Sequence, residues 1–370
     1  MKKMLRRTKQ VSARAIQIRK YMKYLTLKKI INYLKWKNDL KKRKITTSSF
    51  PYTIDFQPSG YCNSNCRLCP VGLRMKGPEK GFLEVKKFQE IIDEAKDYLI
   101  QITFADWGEP FLNPGIFDMI KYAKDKKIIT SASTNLHFFE TEKEFKKLLI
   151  SGLSFLTISL HGVSQETYEA YQPGKNFKET TEKIKTLVNL RKKMKKDEPN
   201  ISLAFVITKK NQHEIEEMQR FARKLGADSD IYTASLNLRF YLDDTNKTIE
   251  MVKEWAQDEK IDMCTWHKER INELYEIILK EKEINFNRLD GLGYSGRHFC
   301  LDPWKTLTVN WDGTISLCCV DYNKYAMGDT SKESIIKIWN NRKYRDVRKY
   351  LLGKLDGKDV DFPCKKCIRY

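Results

Sequence analysis

The chain has 370 residues, 41% of them hydrophobic and 12% aromatic, with nine cysteines and a formal net charge of +21. It contains no run of about 18 uncharged apolar residues, which excludes a membrane-spanning helix, and no apolar core follows its basic N-terminus as a secretory signal requires. The cysteines are therefore expected in a reducing compartment, in the cytoplasm or peripheral to the inner face of the membrane, where clustered thiols bind metal more often than they pair.

The charge sits at one end. Residues 1–45 hold 17 Lys or Arg against a single acid, Asp39, for a net of +16; the other 325 residues hold 52 basic and 47 acidic groups, a net of only +5. In this arm, residues 1–49, Leu27, Ile30, Ile31 and Leu34 recur at i, i+3, i+4, i+7 and predict an amphipathic helix with lysines on its other face. Tyr21, Tyr24, Tyr33 and Trp36 add rings with polar tips. Such a helix suits an anionic membrane surface, an acidic partner or phosphate contact, or a plain brace with a solvated lysine face. The nearly neutral body shows no basic groove, so no specific nucleic-acid partner is expected.

From Pro51 the pattern alternates. Strands are predicted near 52–57, 99–105, 127–133, 155–160, 201–207 and 230–236, with amphipathic helices near 84–97, 115–126, 141–151, 176–195 and 212–225. Six strand–helix steps predict an α/β fold over 50–240 with a parallel sheet, open or closed into a barrel. A charged helical stretch (247–283) and the glycine-rich "GLGYSG" (291–296) make a linker, 241–298. A β-rich tail with turns such as "NWDG" forms a smaller module, 299–370.

Just after the first strand, "SGYCNSNCRLCPVG" places Cys62, Cys66 and Cys69 in the spacing C-x3-C-x2-C. Zinc sites usually close with four protein ligands. Three thiolates on one loop leave a corner open, as in a [4Fe–4S] cluster whose fourth iron keeps a place for a small ligand. A zinc knuckle borrowing a distant ligand, or plain buried cysteines, are the alternatives.

This loop, followed by "WGEP" (107–110), "STN" (133–135) and "TISLHG" (157–162), resembles the radical S-adenosylmethionine (SAM) superfamily over about 50–240. The resemblance implies a partial (β/α)6 barrel and an open iron chelated by the amino and carboxylate groups of SAM. One electron then cleaves SAM to methionine and a 5′-deoxyadenosyl radical that removes a hydrogen from substrate. It also implies that Gly108 and Glu109 receive the methionine ammonium through backbone carbonyls and the carboxylate, while Pro110 fixes the turn. By the same resemblance Asn135 lies in the turn after the third strand, Ser159 contacts the ribose, Leu68 packs on adenine, and Asn211 fills a polar position after the fifth strand. All but Leu68 fall at or just past the C-terminal ends of predicted strands, where parallel barrels build their sites. Two departures stand out: Leu68 occupies a position that is often aromatic, and Gln172 in "YEAYQPG" stands where many relatives carry an arginine for the SAM carboxylate. Lys175 beside it reads as a solvated loop lysine.

The tail, "CLDPWKTLTVNWDGTISLCC" with a closing "CKKC", resembles the SPASM and twitch auxiliary-cluster domains over 300–367, the single-cluster twitch form fitting better. That implies a second [4Fe–4S] cluster on Cys300, Cys318, Cys364 and Cys367. With four thiolates it is saturated and suited to carrying electrons; a structural staple or a zinc site on the same ligands are the alternatives. Cys319, adjacent to Cys318, faces the other way as a packed thiol, and Cys264 reads as structural. His161 lies nearest the cavity and His298 near the second cluster, though such histidines are more often simply packed.

The sequence thus reads as a radical SAM oxidoreductase acting on a small hydroxylated metabolite, a sugar or a lipid-linked molecule. The reaction expected is a two-electron oxidation with the second cluster as acceptor, reduced by a flavodoxin- or ferredoxin-type donor. A SPASM-type peptide maturase is the alternative, weakened because the arm is too short and charged for a leader-binding winged helix. A non-catalytic iron–sulfur protein with a membrane-docking arm is the remaining one. No residue names the C–H bond attacked, because the attacking group belongs to the cofactor.

Overall fold

The computed structural model describes residues 22–74, 79–234, 255, 300–318, 325–356 and 364. Residues 1–21, the hinge 291–296, Cys264, His298, Cys319 and Cys367 lie outside the described residues. Six parallel strands follow in chain order: β1 (Thr53–Phe56), β2 (Gln101–Phe104), β3 (Ile129–Thr134), β4 (Phe155–Ser159), β5 (Asn200–Ile207) and β6 (Ser229–Ala234). Period-two patterning gives the strands β1 to β4 two unlike faces. Ile54, Phe56, Ile102, Phe104, Leu156, Ile158, Leu203 and Phe205 are fully buried under the helices. On the other face Asp55, Thr103, Ser131, Ser133, Thr157 and Ser159 are polar and keep partial exposure, while Thr53, Ile129 and Phe155 line its N-terminal end. The result is a partly closed parallel sheet with one apolar jacket and one open, polar inner face.

The helices follow the expected pattern with one addition. After α1 in the arm (Leu27–Lys41) come α2 (Val85–Ala95), α3 (Ile116–Asp125), α4 (Glu142–Ile150), α5 (Gln165–Tyr171), α6 (Phe177–Lys193) and α7 (Ile215–Leu225). In α2, Phe88, Ile91, Ile92 and Ala95 sit at i, i+3, i+4, i+7 and form the buried stripe. A capping box between Thr141 and Glu144 starts α4. The short α5 was not legible by periodicity; Ser164 caps it by accepting from the Thr167 N–H.

The tail contributes α8 (Asp302–Lys305), β7 (Thr306–Val309), β8 (Thr314–Ser316), β9 (Ala326–Asp329), α9 (Ile335–Ile338) and α10 (Arg342–Leu351). The sheet order is β6-β5-β4-β3-β2-β1-β7-β8-β9, with β7 parallel to β1 and β8 and β9 antiparallel. The tail therefore does not form a sheet of its own; it extends the barrel sheet from the edge of β1. Trp311, in the β7–β8 turn, covers Gly81, where a Cβ would stand 2.2 Å from the indole. Its Nε1 donates to the Glu79 carbonyl at 3.0 Å.

The arm helix packs on the barrel, but not through its apolar stripe as a plain brace with a solvated lysine face would. Its buried face is Lys29, Asn32, Tyr33, Trp36 and Asp39, and the Leu27–Ile30–Ile31–Leu34 face is exposed. Specific polar anchors explain the choice of face. Asn32 exchanges two 2.9 Å hydrogen bonds with the backbone of Phe50. The Asp39 carboxylate accepts from the N–H and hydroxyl of both Ser48 and Ser49 at 2.7–2.8 Å, and Lys29 donates to the Lys127 carbonyl. The rings of Tyr33, Trp36 and Tyr52 cluster with centroids 4.9–5.4 Å apart and pack with Ile100, Ile129 and Trp304. All four of those barrel and tail residues lie at strand beginnings, so α1 closes the N-terminal end of the barrel. Arg348 fastens the tail there, donating to the carbonyls of Pro303, Ile45 and Trp339 and to Asn340 at 2.8–3.0 Å. Among the described residues no helix is long and apolar enough to cross a membrane.

Candidate active site

The cysteine loop leaves β1 at the C-terminal end of the barrel and is held from four sides. Its return is set by Gly72, where a Cβ would lie 2.3 Å from the Cys66 oxygen and 2.5 Å from its nitrogen. The Arg67 N–H donates to the Tyr171 carbonyl at 3.0 Å, tying the loop to the end of α5. Leu68 is buried against Tyr171 and Trp255; these two rings stand beside the position where the sequence lacks an aromatic. The fourth side is Asn135, whose Nδ2 donates to Asn63 Oδ1 at 2.8 Å and Ser64 Oγ at 3.0 Å and lies 3.7 Å from Cys62 Sγ.

"WGEP" interlocks with this arrangement. Gly108 has φ +127°, and a Cβ there would meet the Ser59 carbonyl oxygen at 2.0 Å, so only glycine fits. The Glu109 N–H donates to the Tyr61 carbonyl at 2.7 Å. The Glu109 carboxylate is buried and accepts from the Phe111 N–H (3.3 Å), the Thr134 hydroxyl (2.9 Å) and the Asn135 N–H (2.8 Å). Burial pushes its pKa up to about 7 against the pull of those donors. Both oxygens are thus committed to the chain; the carboxylate is a tie between loops rather than a group reaching out to a ligand. Pro110 opens the 3₁₀ turn that follows.

Burial is the main cause that raises the thiols of Cys62, to about 11, and of Cys66 and Cys69. Cys62 and Cys66 each also feel the neighbouring thiols. Three such groups become thiolates together only against compensating positive charge, as iron provides. Among the described residues no three His, Cys, Asp or Glu side chains gather tightly enough to hold a single metal ion. Gln172 is buried with its amide against Cys66, whose pKa it pulls down, yet neither Oε1 nor Nε2 makes a well-formed hydrogen bond. A buried amide left this way beside a thiol of the loop fits a cluster with a further polar ligand next to it.

The other expected residues fall around this mouth. Ser159 ends β4 half-buried on the inner face. His161 is buried, with Nδ1 accepting from the Val206 N–H at 3.1 Å and its pKa driven by burial to about 3, so it is a neutral, packed ring. Asn211 is consumed in structure: Oδ1 accepts from Thr208, and Nδ2 donates to the His161 and Val206 carbonyls at 2.8 and 2.9 Å.

Two acids escaped the sequence reading. Asp106 follows β2 with φ +78°, an uncommon backbone for a non-glycine, and lies electrostatically close to both Cys69 and Asp55. Asp55, on β1, shares the inner face with Thr103 and Ser131 across the sheet register. Burial, then the nearby Asp302, raises its pKa to about 7. Its position as an acid between Ile54 and Phe56 in a strand was the available signal.

In the tail, Cys300 precedes α8, Cys318 follows β8 and Cys364 packs against the main core, all half-buried. Cys318 lies near the buried Tyr344. Cys367, the fourth expected ligand, is outside the described residues.

Residues 56–222 match the radical SAM superfamily, and residues 300–368 match the SPASM iron–sulfur cluster-binding domain, together more than half of the chain. The chain belongs to the radical SAM superfamily and carries a C-terminal SPASM-type domain; it is a radical SAM enzyme that uses SAM and two iron–sulfur clusters. It is 26% identical over 300 residues to a tungsten-containing aldehyde ferredoxin oxidoreductase cofactor-modifying protein of Pyrococcus furiosus, covering 76% of this chain and 79% of that one. It is 27% identical over 185 residues to an AdoMet-dependent heme synthase of Methanosarcina barkeri, half of each chain. Among solved structures it is similar in fold to Streptococcus suis SuiB bound to SAM, with a TM-score of 0.61 at 17% identity, over 85% of this chain and 71% of that one.

Proposed function

We propose that the protein oxidises a small, hydroxylated molecule by two electrons inside the barrel. The carrying observation is the inner face: Asp55, Thr103, Ser131, Ser133, Thr157 and Ser159 are all half-buried, whereas the alternating outer-face residues are fully covered. Small hydroxyl side chains and one acid around a reachable space suit a polar substrate with several hydroxyl groups. Cys62, Cys66 and Cys69 would hold the SAM-binding cluster, and Cys300, Cys318, Cys364 and Cys367 the other. Loaded, the first cluster with SAM supplies hydrogen-atom abstraction from a C–H bond, and the second supplies an acceptor for one electron.

The chain's own residues do the rest. Gly108 and Glu109 present backbone to the SAM ammonium, Gln172 offers its amide to the carboxylate, and Ser159 offers a hydroxyl to the ribose. Leu68, with Tyr171 and Trp255 behind it, offers the apolar wall for adenine. Loss of a hydrogen atom and one electron from an alcohol carbon leaves a hydroxyl proton, which Asp55 accepts at its carboxylate as the carbonyl forms. A flavodoxin- or ferredoxin-type protein would supply the reducing electron. The two curated relatives are both described as acting in cofactor chemistry, which favours a small molecule over a peptide. The test is anaerobic reconstitution with dithionite, SAM and extracted metabolites from deuterium-labelled cells. Deuterium in 5′-deoxyadenosine, with a carbonyl product two hydrogens lighter, is expected; no 5′-deoxyadenosine under any condition would defeat the reading.

A further inference from the structure

The outward face of α1 is apolar, although the helix is already clamped to the barrel through its other face. Leu27, Ile30, Ile31 and Leu34 are 72%, 42%, 44% and 55% exposed, and Met22, just before the helix, is 60% exposed. Lys23, Lys28, Lys35, Lys41 and Lys42 are exposed around this stripe, Lys28 pairing with Asp97 at 2.6 Å. The acid of this segment, Asp39, is buried on the opposite side. The helix cannot roll to hide the stripe without breaking the Asn32 and Asp39 hydrogen bonds and withdrawing Trp36 from the barrel end.

Charge and shape together select the partner. Residues 1–21 add eight Lys or Arg and no acid, so the whole region seeks negative charge. Phosphates of a nucleic acid would satisfy the lysines but leave Leu27, Ile30, Ile31 and Leu34 in water. An anionic bilayer satisfies both, taking the stripe into the headgroup–acyl boundary and the lysines at the lipid phosphates. We propose that the outward face of α1 docks the protein onto an anionic lipid bilayer.

The fold then fixes the orientation. The rings of α1 pack on the strand beginnings at Tyr52, Ile100 and Ile129, while the cysteine loop and "WGEP" follow strand ends. The mouth therefore stands on the side of the barrel away from the bilayer, separated by the strand length of roughly 3.3 Å per residue. Substrate would enter from the water phase and not from the lipid. This last step rests on the mouth being the active site; the docking itself does not.

The experiment is sedimentation of the full chain with phosphatidylcholine vesicles, with and without phosphatidylglycerol. Binding is expected to the anionic vesicles alone and to weaken with added salt. The combined variant Ile30→Ser, Ile31→Ser, Leu34→Ser should bind at least about tenfold more weakly, with unchanged thermal unfolding and SAM cleavage because these side chains are exposed. The combined variant Lys35→Glu, Lys41→Glu, Lys42→Glu should weaken it as well. Three results would overturn the proposal: no binding to anionic vesicles, binding that survives the serine changes and so resides in residues 1–21, or a vesicle-indifferent dimer that the serine changes convert to monomer.

Discussion

The carboxylate of Glu109 accepts the backbone N–H of Asn135 at 2.8 Å, and the side chain of the same Asn135 holds Asn63 and Ser64 on the cysteine loop. One relay thus joins the loops after β1, β2 and β3. The two signatures that resemble the superfamily are physically a single unit: "WGEP" steadies Asn135, and Asn135 steadies the thiols.

Asn135→Ala should loosen that unit without emptying the barrel core. Its amide reaches three atoms of the loop, so the loss should cost on the order of 1–2 kcal/mol locally. After anaerobic reconstitution the variant should hold less iron than the roughly eight per chain that two clusters imply, with the deficit in the SAM-binding cluster. Iron analysis with electron paramagnetic resonance in the presence and absence of SAM checks this. A full iron content with an unchanged SAM-induced signal would contradict it.

Gly72→Ala tests the loop's closure more severely. The added methyl would sit 2.3 Å from a backbone oxygen with no flexible side chain to yield. The variant is expected to fold, because Gly72 lies outside the strands and helices, but to lose most of the first cluster and nearly all SAM cleavage while keeping the second. Iron near half the wild-type content, with an unfolding temperature within a few degrees of wild type, is the expected pair of readings.

How much of this was legible in the sequence follows from where each signal is stored. Strand and helix periodicities lie in contiguous residues, and the six parallel strands and their helices were placed within a few residues. The cysteine spacing likewise carried the candidate cluster loop. What escaped were contacts between distant segments. Nothing local distinguishes Asn135 as a clamp on residues 63 and 64, or makes the Glu109 carboxylate an internal tie. The helix of the arm was legible but its buried face was not: Leu27, Ile30, Ile31 and Leu34 have helical spacing and apolar character, yet the buried face was chosen by Asn32, Trp36 and Asp39 finding partners at Phe50, Tyr52 and Ser48–Ser49. The pairing of β7 with β1 joins residues 253 apart and had no sequence signal at all.

Arg348 should be the most sensitive position for the packing of the tail and its join to the end of the arm. It is fully buried, and its guanidinium serves three carbonyls and Asn340. Arg348→Leu would orphan those acceptors, at a cost on the order of 3 kcal/mol or more. Chemical denaturation should show the loss, and limited proteolysis should cut first in the tail. Arg348→Lys should recover only a minor part, because an ammonium cannot span the same fork.

Asp55 gives the clearest pH signature. Burial and then Asp302 raise its pKa to about 7, with Asp106 adding to this and Lys305 and Thr103 opposing it. In the folded chain it therefore holds a proton at pH values where an unfolded aspartate, near 3.8, has lost it. The folded state binds more protons across that interval, so this group's contribution to stability falls as pH rises from about 4 to about 7. Asp55→Asn should remove that part of the slope, leaving stability flatter over the same range and higher at pH 8 relative to wild type. Catalysis should move the opposite way. If the Asp55 carboxylate accepts the substrate's hydroxyl proton, product formation rises with pH through about 7 in the wild type. In Asp55→Asn, 5′-deoxyadenosine should still form while carbonyl product falls at least about a hundredfold. Equal loss of both would assign Asp55 to binding, and a wild-type product profile without a rise near pH 7 would remove it from the chemistry.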